Sequence, residues 1–366
     1  MEIHFNFLVI LNGAAIVLGL FAAISLFFRN RNQQANKLMA LFLASISLWL
    51  IDTFMRITGI YQQDANYYFK PIYYSFAFGP LIYFYVKSIT NSAFKFKPVH
   101  LVHFIPVFLQ ACLYVFLTFQ DYTYRHWYWE EIHYPYTYRI EFDGSFISMA
   151  VYLFFSLRLL NNYQQWLKER YSDISKSQLN WLKILLVLLL LLNLQWFIEV
   201  ILRDFYSNFY QYNYSVFILG LLTLLLAFWA FHQEDQKEIV FLSKIPKETT
   251  PHNLDFKQEI LDQIEDRMLT HKDYLNPTLS LKIFASNCKL PQKVVSQYLN
   301  QQLKKSFHEY VNHYRVEEFK RRVKEEKELV MTLEGLAYDC GFNSKTTFNR
   351  IFKKYTGLTP SQYVAK

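Results

Sequence analysis

Up to residue 232 the apolar positions run in long blocks. They show neither the two-residue alternation of a half-buried strand nor the narrow stripe of a surface helix. Seven blocks, 7–28, 38–55, 69–89, 100–119, 145–160, 182–202 and 214–232, predict helices. Six approach or reach the roughly 20 residues that cross bilayer hydrocarbon. The fifth block is short, and the third carries Pro71, Pro80 and Lys87. From residue 255 onward the apolar residues recur every three or four positions, the pattern of amphipathic helices. Ile260, Ile264 and Met268 share one face; Ser280 caps a short helix with Leu281, Phe284 and Ala285 inside. Pro291 opens the next helix, expected through Gln302, and a long helix is expected over 306–328. Thr332 then caps a helix holding Leu333, Leu336 and Ala337, Gly341 supplies a left-handed turn, and Ser344 caps a last basic helix. Residues 233–254 are polar, broken by Pro246 and Pro251, and read as a tether. The expected fold is all-α: a seven-helix transmembrane bundle over 1–232, a linker over 233–254 and a helical domain over 255–366.

Charge sharpens this division. The net charge of +8 favours anionic partners, which are phosphate backbones or lipid headgroups. With seven spans and the tail in the cytoplasm, the inner loops hold eleven Lys and Arg against five in the outer loops. That is the bias expected of inner loops, and it places the N-terminus outside. Met1-Glu2-Ile3-His4 lacks a basic n-region, so block 7–28 reads as a permanent helix rather than a cleaved address. Cys112, Cys288 and Cys340 lie far apart and give neither a disulfide framework nor a metal spacing. No metal and no cofactor are expected.

The bundle carries few ionisable residues, and two pairs stand out. Asp52 with Arg56, and Glu199 with Arg203, are each four apart and so share a helix face. Ionisable groups at membrane depth line bundle interiors and mark sites. The pairs are either interfacial ion pairs or a ligand-sensing pocket facing outward, helped by Asn193, Gln195 and the loop Asp121–Asp143. His100 and His103, three apart near the inner end of the fourth block, read as interfacial histidines in preference to a metal pair. There is no Gly-rich phosphate loop, zinc-protease motif or nucleophile elbow, so an enzyme is not expected.

The helical tail contains the helix-turn-helix pattern twice, 280–302 and 332–355. Overlaid, Val295 matches Phe348 and Leu299 matches Phe352 as buried positions. That leaves Gln292, Lys293, Ser296, Gln297 and Asn300 exposed on one reading helix, and Lys345, Thr346, Asn349, Arg350 and Lys353 on the other. Arg and Lys donate to guanine O6 and N7, and Asn or Gln pairs with adenine in the major groove. Lys304, Lys305, Arg321, Arg322 and Lys354 are candidate phosphate contacts, giving affinity with little sequence information. The run Gly341-Phe342 through Phe348-x-Arg350-x-Phe352-Lys353-Lys354 to Gly357-x-Thr359-Pro360 resembles the AraC/XylS family signature. The resemblance implies that one long helix holds two units, so that both reading helices enter successive major grooves about one turn, ~34 Å, apart. By layout the whole chain resembles the membrane-anchored AraC-type regulators of bacteria, which implies the cytoplasmic membrane as its location.

The expected function is a one-component transcriptional regulator that senses a signal in or outside the membrane. It binds double-stranded promoter DNA, and dimerisation offers one switch. The alternatives are a transporter or membrane receptor with a DNA-binding tail, and a sensor that signals to a kinase. Only Pro80 and Pro106 hint at the broken helices of transporters, and no ATP-binding motif is present.

Overall fold

The structure is a computed structural model that describes residues 6–30, 32–63, 67, 69–175, 177–206, 214–232, 258–325 and 331–365. The expected linker 233–254 lies outside these residues. The chain divides into two compact units, Met1–Asn161 with Asn180–Leu242, and Asn162–Leu179 with Ser243–Lys366. Among the described residues every regular element is helical, apart from one isolated bridge between Tyr171 and Ser280.

The principal helices of the first unit are α1 (Phe7–Phe27), α2 (Gln33–Ile57), α3 (Phe78–Thr90) and α4 (Ile105–Thr118). They are followed by α5 (Tyr138–Arg170), whose last turns belong to the second unit, then α6 (Asn180–Tyr206) and α7 (Tyr214–His232). Asn6 caps α1, its side chain accepting from the Val9 amide at 2.9 Å. Helix α1 packs on α2 and α7, α2 also meets α3, and α6 meets α7. Gly19 permits the closest approach: a Cβ there would lie 2.4 Å from Ser47 Oγ and 2.8 Å from Thr223 Cγ2. Small residues at helix seams are what lets backbones meet in lipid. The interior holds Leu43, Ile46 and Leu50, fully buried, while Phe21, Ile24, Phe154 and Leu191 face outward. So much exposed apolar surface suits a hydrocarbon solvent better than water.

Among the described residues, five segments are long and apolar enough to cross a membrane: Phe7–Phe27, Gln33–Ile57, Pro98–Thr118, Tyr122–Arg170 and Asn180–Leu202. Phe217–Trp229 is a shorter apolar helix. The count differs from the seven expected for local reasons. Block 69–89 yields only the 13-residue α3 after a single 3-10 turn, Ser75–Ala77. Phe69 takes a left-handed backbone (φ 58), so no helix runs through the start of the block. Pro80 sits in the first turn of α3, where its missing N–H is harmless. The fifth block, short by hydropathy, is the apolar interior of the 33-residue α5 and lies within Tyr122–Arg170, so it is among the five.

The second unit contains α8 (Gln258–Leu269), α9 (Leu281–Asn287), α10 (Gln292–Gln297), α11 (Phe307–Glu325), α12 (Leu333–Asp339), α13 (Lys345–Thr356) and α14 (Pro360–Val364). It has two hydrophobic cores. Ile264, Phe284, Val295, Leu299, Phe307 and Val311 build one; Val316, Phe319, Leu336, Phe348, Ile351 and Phe352 build the other. The first half of α11 enters the first core and its second half enters the second. A single helix therefore ties the two halves together.

Candidate nucleic-acid interface

Each half presents a capped helix behind a tight turn. In the first, Ser280 Oγ accepts from the Ile283 amide at 3.3 Å and starts α9. Lys289 takes a left-handed conformation (φ 56) in the turn, and Pro291 precedes α10. Helix α10 widens into a π-type turn over Tyr298–Gln302, so the helical course reaches Gln302 as the sequence implied. In the second half Thr332 Oγ1 accepts from the Gly335 amide at 3.1 Å, Gly341 turns the chain at φ 90, and Ser344 Oγ accepts from the Thr347 amide at 3.2 Å. Gly357 closes α13 in the left-handed region, and Thr359 with Gln362 forms a reciprocal cap on α14. Val295, Leu299, Phe348 and Phe352 are all buried. The two reading helices therefore sit on their cores in matching register.

The opposite faces carry the candidate base-reading groups. Lys345, Thr346, Asn349, Arg350 and Lys353 are exposed on α13, as are Lys293 and Asn300 in the first half. Gln292, Ser296 and Gln297 are half-buried. Asn300 Nδ2 lies 3.4 Å from Ser296 Oγ. Two of the cations are held by carboxylates, Lys345 by Glu334 at 3.1 Å and Lys354 by Glu309 at 3.0 Å. Lys304 is exposed and Lys305 half-buried. Exposed pairs of this kind contribute little and exchange readily for a phosphate.

Arg321 and Arg322 are placed differently. Both converge on Glu318, a carboxylate buried on α11: Arg321 Nη2 donates at 2.7 Å and Arg322 Nε at 2.9 Å. Tyr274 Oη donates to it at 3.2 Å, Lys272 stands at 3.6 Å, and Arg321 also pairs with Glu325. The Arg321 hydrogen bond is the main reason the Glu318 carboxyl falls to about 2, with Arg322 and Lys272 adding to it against the effect of burial. A carboxyl depressed on folding stabilises above its unfolded value near 4.5, and that stability disappears as pH falls through about 2. The loss is worth about 3 kcal/mol. Glu318→Gln is therefore expected to lower the denaturant midpoint of the second unit at neutral pH and to flatten its decline between pH 4.5 and 2. Parallel pH curves for the two proteins would exclude Glu318 as the acid-sensitive group.

In the first unit Arg56 Nη2 donates to Asp52 Oδ2 at 2.9 Å, and Tyr61 Oη donates to Asp52 Oδ1 at 2.6 Å. Glu199 is buried on α6, and the Arg203 side chain lies outside the described residues. Asn193 lines an apolar chamber with Phe42, Trp49, Phe78, Met149 and Trp196. His103 Nδ1 lies 2.6 Å from Tyr152 Oη, and His100 Nδ1 accepts from the Lys97 amide at 3.0 Å. Among the described residues no three His, Cys, Asp or Glu side chains are grouped to hold a metal.

Sequence reasoning passed over a heavily bonded, fully buried cation of the second unit. Arg315, 1% exposed on α11, donates to the Tyr274 carbonyl from Nε and to the Asn276 carbonyl from Nη2, both at 2.7 Å. Burial lowers its guanidinium to about 10, partly offset by Asp173, so it stays charged at neutral pH. On a helical wheel Arg315 shares its face with Val311 and Phe319 but also with Asn312 and Glu318, so its spacing does not mark it as buried.

Residues 284–366 match the family model described as a helix-turn-helix domain. No curated protein and no solved structure matches the chain. The matched residues run from the middle of α9 through both reading helices to α14, and they support an AraC-type DNA-binding domain at the C-terminal end of the chain.

Proposed function

We propose that the protein is a membrane-integrated one-component transcriptional regulator whose second unit reads promoter DNA in the cytoplasm. The observation that carries the reading is the pair of capped, register-matched helices on one shared helix, coinciding with the helix-turn-helix family match. Gln292, Lys293, Ser296, Gln297 and Asn300 read one half-site, and Lys345, Thr346, Asn349, Arg350 and Lys353 read the other. Lys304, Lys305 and Lys354 contact phosphates, joined by Arg321 and Arg322 when they turn from Glu318. Residues 1–232 form seven spans with the N-terminus outside, 233–254 is the tether, and 255–366 is the reader. Five apolar segments of spanning length, the outward apolar faces and the cation bias of the loops support the membrane location. Asp52, Arg56, Glu199 and Arg203 sense the stimulus, and a homodimer places two readers on one promoter.

Arg350→Ala is expected to weaken binding to the preferred duplex by about 1–3 kcal/mol and to relax preference at one base position. Footprinting and affinity against single-base variants of a selected duplex measure both effects. An unchanged base preference would remove Arg350 from the reading set. A membrane-impermeant label that reaches cysteines placed after residue 233 from outside the cell would overturn the topology.

A further inference from the structure

The segment after α5 is built into the DNA reader. Helix α5 ends at Arg170, and the next residues run through the second unit. The Ser172 amide donates to the Leu279 carbonyl at 3.2 Å, and Ser172 Oγ donates to the same oxygen at 2.6 Å. The Ser172 carbonyl accepts from His308 Nδ1 at 2.7 Å and from Asn312 Nδ2 at 2.9 Å. Arg315 Nη2 donates to Ser172 Oγ at 3.2 Å, and Asn343 Nδ2 donates to Asp173 Oδ2 at 2.8 Å. One dipeptide thus touches the approach to the first helix-turn-helix, the shared helix and the turn of the second. Ser172 and Ile174 are each 1% exposed. Burial disfavours the Asp173 carboxylate, yet hydrogen bonds from Ser175 and Asn343 hold it below the usual range. Burial keeps His308 neutral at physiological pH, its ring falling to about 4, so Nδ1–H is available as a donor.

The segment also flanks the second reading helix. Lys168, Ile174 and Gln178 line one cleft together with Arg350, Ile351 and Lys354 of α13. A helix with its side chains is about 10–12 Å across, and the major groove it enters is about 12 Å wide. A reading helix therefore fills the groove, and chain standing against its flank occupies the path of the DNA backbone.

We propose that the segment 171–175 is an autoinhibitory latch: docked between the two helix-turn-helix halves it excludes DNA from α13, and a displacement of α5 withdraws it. The proposal rests on the DNA-reading function above and adds its regulation. The latch is attached directly to a long apolar helix, so an axial shift or rotation of α5 is delivered to Ser172 two residues beyond the helix end. The tether 233–254 is then not the only route by which the bundle can address the reader.

The test uses the full-length chain in lipid nanodiscs, with Cys112→Ser as background and the pair Asp173→Cys with Asn343→Cys. The probe is the duplex that the reduced protein selects from a random-sequence library. Oxidation is expected to cross-link the pair and to weaken binding of that duplex at least about tenfold, as expected when the competent fraction falls below a tenth. Asp173→Ala, which removes the Asn343 hydrogen bond together with the local one from the Ser175 amide, is expected to tighten binding relative to the parent. An oxidised form that binds as tightly as the reduced form, or more tightly, overturns the latch. Failure of the pair to cross-link shows that the docked arrangement is not populated, and also overturns it. Selection of no duplex by the reduced protein would instead remove the DNA-reading function itself, and the latch with it.

Discussion

Arg315→Ala is expected to raise the labelling rates of both buried thiols of the second unit, Cys288 and Cys340, by at least about a hundredfold. Removing one partner from a buried charged network costs about 3–5 kcal/mol, because the groups it served stay buried without their donor. The groups here are the carbonyls of Tyr274 and Asn276, Asn312 Oδ1 and Ser172 Oγ. The guanidinium also lies 5.9 Å from the Phe342 ring, so it touches the second half while bonding to the first. Cys288 belongs to the first core and Cys340 to the second, and burial pushes both thiols up to about 12. Each thus reports local opening of its own core, with Cys112→Ser removing the exposed thiol. If only one thiol gains reactivity, Arg315 does not join the halves. If neither does, the network contributes nothing to stability.

Much of the second unit was legible in the sequence. Ser280, Thr332 and Ser344 accept the amide bonds that cap assignments require. These signals are local: the residue type, the spacing to the next apolar position and the turn glycine are all set within one helical turn. Which face of each of these helices stays accessible was legible for the same reason, since the buried positions Val295, Leu299, Phe348 and Phe352 fix it. The long-range network was not. Ser172 and Asp173 lie more than a hundred residues before their partners, in a loop whose composition reads only as an inner-loop cation cluster. The sequence pattern places residues 162–179 in a loop of the membrane region, whereas their contacts group them with the second unit. Span counting is least defined at α3 because hydropathy measures composition. It does not register where a left-handed residue keeps the backbone out of a helix or where a polar end continues one.

The two turn glycines of the second half separate what a motif encodes from what packing adds. Gly341 and Gly357 both adopt left-handed backbone, φ 90 and φ 76, so an alanine at either position incurs about 1–2 kcal/mol. Their surroundings differ. A Cβ at Gly341 would lie 2.5 Å from the Tyr274 carbonyl oxygen and 2.9 Å from that of Leu275, whereas one at Gly357 would meet nothing within 4 Å. Those two oxygens are backbone atoms, and the first already accepts from Arg315, so neither can yield without moving the Arg315 network. Overpacking of this kind adds about 1–3 kcal/mol, which brings Gly341→Ala to about 3 kcal/mol and leaves Gly357→Ala near 1. Cys340 labelling in the full-length protein is therefore expected to rise about a hundredfold in Gly341→Ala and less than about tenfold in Gly357→Ala. Cys288 should respond to Gly341→Ala as well, because the clash is with carbonyls that belong to the first half. Equal effects from the two alanines would mean that backbone conformation alone governs both turns, and that the close seam between the halves carries no energy.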